Sequence, residues 1–78
     1  MTDLDGVPLG AHVVVLSVSP DESVRLARHG LVPGVELVCD QDAPLRGPRI
    51  VCVGNQRVSV PRAVARQVAV ELIRGQQQ

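Results

Sequence analysis

The sequence contains no phenylalanine, tyrosine or tryptophan, and no lysine among its eight basic residues. Without an aromatic ring it lacks the stacking platforms on which small barrels hold single-stranded nucleic acid. Eight Arg balance eight Asp plus Glu, so no net field steers the chain towards polyanions or anionic lipid. Two cysteines, Cys39 and Cys52, are too few for the disulfide framework that small secreted domains use, and they read as reduced, half-buried thiols. No charged segment followed by an apolar one opens the sequence, and no apolar run approaches the roughly 18 residues a membrane span needs. A cytoplasmic protein without direct membrane insertion is the expectation.

What the sequence does hold is valine, glycine and proline in a regular order. At 78 residues it is expected to form one domain over 1–78, with a core over about 9–74 and a frayed tail at 75–78. Alternating apolar stretches predict strands over Gly10–Val18, Val35–Asp40, Arg49–Val53, Arg57–Val60 and Val68–Ile73. HVVVLSV is almost wholly apolar and predicts a strand covered on both faces, whereas Val35–Asp40 alternates and reads as half exposed.

Between the first two strands, SPDESVRLARHG carries the signals of a helix. Ser19 can cap it, Pro20 suits the first helical position, and Glu22 stands three residues after Ser19, as in a capping box. Gly30 falls where a left-handed residue stops the helix, which pairs Leu26 with Leu31 in a Schellman motif. Val32-Pro33-Gly34-Val35 then reads as a type II turn, so Gly30, Pro33 and Gly34 define the reversal from helix to strand. QDAPLRGP and Gly54-Asn55-Gln56 connect the following hairpins, and Pro61 opens a helical turn before the last strand. Together these elements predict a mainly β protein, a small SH3-like barrel of about five antiparallel strands. One α-helix follows its first strand.

Candidate chemistry is sparse. His12, His29, Cys39 and Cys52 are the soft or borderline metal ligands, and none stands at C-x-x-C or H-x-x-x-H spacing. His29, Cys39 and Cys52 remain the candidates should a divalent metal bind. Asp40 and Asp42 read as solvated loop carboxylates rather than a proton-sharing pair. No nucleophile, base and orienting group are gathered in a pattern, so no enzyme is expected. Arg46, Arg49 and Arg57 fall around adjacent hairpins and suggest a local basic patch on a sheet face, but nucleic acid is not expected as a partner. A binding module is what these readings leave.

The motifs, in order, resemble those of the FeoA family, ferrous iron transport protein A. Leu9 and Gly10 lead into VVVLSV. Arg25, Leu26, Gly30, Leu31, Pro33, Gly34, Val35 and Leu37 follow at the family's spacing. Gly47 and Pro48 precede the third strand, and Ala65, Val68 and Val70 close the pattern, with Val68 in place of the family's isoleucine. The resemblance implies a small cytosolic accessory protein that docks on the cytoplasmic part of a FeoB-type ferrous iron transporter and modulates it. It leaves open binding of Fe2+ or another divalent transition metal, and self-association through a strand edge. An alternative is a stand-alone SH3-like domain acting with a metal-dependent transcriptional regulator; a nucleic-acid-binding barrel is a third reading. For a docking surface, the helix and its stop suggest Leu26 and Leu31 as apolar contacts, with Arg25 and Arg28 at the rim.

Overall fold

The computed structural model describes residues 2–73. The tail expected at 75–78 lies outside the described residues. In chain order, β1 (Thr2–Asp3) runs into a 3-10 turn (Leu4–Gly6), then β2 (His12–Val18) and α1 (Pro20–Ala27). β3 (Glu36–Asp42), β4 (Arg49–Val53) and β5 (Gln56–Val60) follow. A short α2 (Arg62–Ala65) then leads into β6 (Val68–Leu72). The strands form one antiparallel sheet in the order β1-β6-β2-β3-β4-β5.

Strand parity decides what this sheet encloses. Val13 and Val15, Leu37 and Cys39, Val51, Val58 and Val60, and Val68 and Val70 all point to one face and join a single buried cluster with Leu4, Val7, Leu26, Leu31, Val64 and Ala65. One sheet that shares one core among five of its strands has to curl around it. Register shifts between Val15 and Ser17 in β2, and between Cys39 and Gln41 in β3, supply the bends. The opposite face is solvated: Val14 is only half buried and Leu16 is exposed. HVVVLSV is therefore not covered on both faces, because an antiparallel sheet of this size has only one layer of side chains to bury.

Two further expectations are corrected. A sixth strand exists, since Thr2 and Asp3 pair with Val70 and Ala69, and the core begins at Leu4 rather than near residue 9. Two residues are too short for a hydrophobic period, so no alternation marks β1. At the start of α1 the capping box does not form. Ser19 makes no side-chain cap bond, and the turn closes through the Glu22 N–H donating to the Ser19 carbonyl at 3.0 Å.

Candidate partner-binding site

The end of α1 is built by local bonds. Leu31 N–H donates to the Leu26 carbonyl at 3.0 Å and Gly30 N–H to that of Ala27 at 3.0 Å, the two bonds of a Schellman motif, with Gly30 at φ 84°. Val35 N–H then donates to the Val32 carbonyl at 3.1 Å with Gly34 at φ 94°, closing the type II turn. Gly34 N–H reaches the Val15 carbonyl at 2.8 Å, so the turn is stitched to β2 before β3 begins. The β4–β5 hairpin packs beside this stop: a Cβ on Gly30 would lie 3.8 Å from Val53 Cγ1.

An open cleft of about 550 Å³ lies between the two elements. Ala27, Arg28 and His29 line the helix side, and Val53, Asn55 and Gln56 line the hairpin side. Its walls combine small apolar surface with nitrogen donors and carry no carboxylate. Arg25, on the same helix, is exposed and lies 3.6 Å from Glu22.

Leu26 and Leu31 do not belong to this surface. They are 3% and 1% exposed and sit in the core, because the 6→1 bond that stops the helix turns both side chains inward. The accessible apolar side chains near the stop are Val24, 68% exposed, and Val32. Of the rim residues, Arg28 lines the cleft, and Arg25, three positions back on the helix, is not part of its lining. The hairpin wall of Val53, Asn55 and Gln56 was not signalled by any motif, since it meets the helix only in three dimensions.

The metal candidates are dispersed. His29 lines the cleft, Cys39 is fully buried, and Cys52 is half buried on the outer sheet face. There, register aligns His12, Val38 and Cys52 across β2, β3 and β4, and Glu36 joins them around a shallow hollow of about 230 Å³. Among the described residues, no group of three or more His, Cys, Asp or Glu is placed to hold a metal ion. Burial pushes the Cys39 thiol above its ordinary pKa, with Arg49 opposing and Asp42 reinforcing the shift. That disfavours the thiolate a metal would need.

Arg49 is the largest departure from the sequence reading. It is 3% exposed and does not contribute to a basic patch. Its Nη1 donates to the carbonyls of Leu4 at 2.9 Å and Asp5 at 3.2 Å, and also to that of Val7. Its Nε donates to Asp42 Oδ1 at 2.7 Å. Arg62 extends the network, meeting Asp5 at 2.8 Å and Asp42 at 3.4 Å. Asp42 is thus an anchored carboxylate, and the Arg49 hydrogen bond holds its pKa below the usual range. Parity carried the signal, since Arg49 shares its strand face with buried Val51. Arg57, by contrast, is exposed and lies 3.4 Å from Asp40.

Among the described residues, no helix is long and apolar enough to cross a membrane. No curated protein matches the chain. The FeoA protein of Chlorobium tepidum is similar in structure, with 28% identity, a TM-score of 0.86, and coverage of 97% of this chain and 74% of that one. The zinc complex of FeoA from Stenotrophomonas maltophilia, described as a prokaryotic SH3 domain protein, has 28% identity and a TM-score of 0.75 over 91% of each chain. The zinc-bound protein ScaR shares the fold at 20% identity and a TM-score of 0.83, over 94% of this chain and 37% of that one. The fold is accordingly SH3-like, as the strand pattern predicted. The FeoA domain model matches residues 2–72, and the chain belongs to the FeoA domain family.

Proposed function

We propose that this protein is a small cytoplasmic accessory of ferrous iron uptake, which docks through its helix-stop cleft on the cytoplasmic part of a FeoB-type ferrous iron transporter and modulates it. The observation that carries the reading is the cleft itself: a donor-lined recess between a hydrogen-bonded helix stop and a hairpin, with no catalytic constellation among its lining residues. Family membership supplies the system, and the S. maltophilia relative is described as a candidate ferrous iron transport activating factor. Such a role needs no catalytic residue. A bound accessory shifts a transporter's cycle by whatever difference in affinity it has for the cycle's states. Ferrous iron is here the transporter's cargo. The dispersed placement of His29, Cys39 and Cys52 does not fit a resident ion within one chain, so no step runs through one.

The test is capture of the tagged protein from detergent-solubilised membranes of its own host grown iron-poor, against an unrelated small barrel as control. Enrichment of a ferrous iron permease is expected. Arg28→Glu, a change at an exposed position, should weaken that enrichment about tenfold while the melting temperature holds, because it reverses the charge of one cleft wall. Recovery of a soluble metal-dependent regulator, or of ribosomal proteins, in place of the permease overturns the transport reading.

A further inference from the structure

The β3–β4 connection ends in a turn that its own residues disfavour. The ladder continues past the Asp42–Arg49 pair through Ala43 N–H donating to the Pro48 carbonyl at 2.9 Å. Gly47 N–H then closes on the Pro44 carbonyl at 3.1 Å. The two central residues, Leu45 at φ 60° and Arg46 at φ 58°, are both left-handed, and they are the only non-glycine residues with positive φ among those described. A tight turn of this hand selects Asn-Gly, because side chains with a large Cβ substituent are strained there. Leu45 gains nothing within the chain in return, being 98% exposed. Neither backbone preference nor packing accounts for leucine at this position. Strain held at an exposed site is the pattern of a residue kept for a partner.

The turn is also braced. Arg62 Nε donates to the Gly47 carbonyl at 3.2 Å, and Arg62 itself is held by Asp5 and Asp42. Gly47 allows the two arms to close, since a Cβ there would stand 2.9 Å from Ala43 Cβ. A tip fixed in this way loses little conformational freedom on binding. Arg46 makes no ion pair or side-chain hydrogen bond among the described residues, so its charge is free beside the leucine.

We propose that the Leu45–Arg46 tip is a second docking element, an anchor whose leucine enters an apolar pocket on a protein partner and whose arginine meets a carboxylate at the pocket's rim. The arginine sets the partner's charge, because an unpaired guanidinium next to a desolvating contact favours a bidentate carboxylate. The size of the apolar part argues against a lipid surface: even a whole myristoyl chain gives only marginal membrane binding, and one leucine side chain buries far less. The tip and the helix-stop cleft lie beyond opposite ends of β4, the tip before Arg49 and the cleft from Val53 onward. The anchor therefore goes beyond the cleft and does not depend on which protein the cleft receives.

In-cell photocrosslinking tests it. A benzophenone amino acid is placed at position 45, at position 9 as an exposed control, and at position 28 for the cleft. The expected result is a protein adduct at 45 well above that at 9, with the linked segment mapping to apolar residues flanked by Asp or Glu. Excess unlabelled wild type should compete, and Leu45→Asn/Arg46→Gly should compete at least tenfold more weakly. That same double variant should melt a few degrees higher, since it relieves the turn. Adducts at 45 no stronger than at 9, equal competition by the double variant, or a lower melting temperature for it would each overturn the anchor. An adduct at 45 on a protein that position 28 does not reach supports the anchor and separates it from the transporter reading.

Discussion

The helix stop and the Arg49 staple hold the same barrel by opposite means. The stop is a run of bonds among residues no more than five apart, from Leu26 to Leu31 and from Val32 to Val35. The staple joins Arg49 to Leu4 across 45 positions and gathers Asp5, Val7 and Asp42 around one guanidinium. The first forms as soon as its own segment folds. The second exists only once the N-terminal segment has been laid against β3 and β4. Its donors satisfy carbonyls of an irregular segment that lacks ladder partners, a need that apolar packing cannot meet.

That contrast sets the largest expected effect. Arg49→Met fills a similar space with an apolar side chain, but leaves buried carbonyls unmet and Asp42 without its closest partner. We expect a loss of about 3 kcal/mol or more in urea denaturation, from the cost of unsatisfied buried groups. Amide exchange should rise first over residues 2–7, because these are what the guanidinium holds. A loss below about 1 kcal/mol, within the range of a single exposed ion pair, would show that the staple is peripheral.

The same division explains what could be read from the sequence. Gly30, Pro33 and Gly34 announce their conformations by residue type, and the structure places them as a stop and a turn. The hairpin at Gly54 was legible for the same reason. The staple was not, because an arginine among Arg46, Arg49 and Arg57 gives no sign of being the buried one until strand parity is followed through Val51. β1 was hidden because Thr2 and Asp3 become a strand only when β6 is beside them. Of the residues the sequence suggested for a docking surface, Arg28 alone lines the cleft, and the hairpin wall was not suggested at all. Leu26 and Leu31 were misplaced on the surface because a helix stop advertises a contact without saying which side faces the core.

Smaller effects sharpen the comparison within the stop. Leu31→Ala removes a fully buried side chain and should cost about 2–4 kcal/mol, whereas Val24→Ala, on exposed surface, should stay within about 0.5 kcal/mol. If the two changes cost the same, the assignment of Leu31 to the core and Val24 to the surface fails. Gly30→Ala should lie between them, near 1 kcal/mol, since it forces a Cβ into a left-handed position while the nearest side chain, 3.8 Å away, leaves room for it.

The smallest effect is electrostatic and belongs to the staple. The Asp42 carboxyl has a lower pKa folded than unfolded, chiefly through its hydrogen bond from Arg49, with the charge of Arg62 also favouring ionisation and partial burial opposing it. The unfolded chain therefore takes up this proton first as acid is added. The stabilisation is complete above the ordinary carboxylate range, near pH 4, and is lost as pH falls through the depressed folded value. Wild type should lose stability on acidification below about pH 4 more steeply than Asp42→Asn, which has no proton to gain there. Solvent at a partly exposed carboxylate keeps the difference modest. Denaturation midpoints of the two proteins, measured from pH 6 down to pH 2.5, should converge as the wild type acidifies. Parallel curves across that range would mean that Asp42 contributes geometry to the staple but no charge.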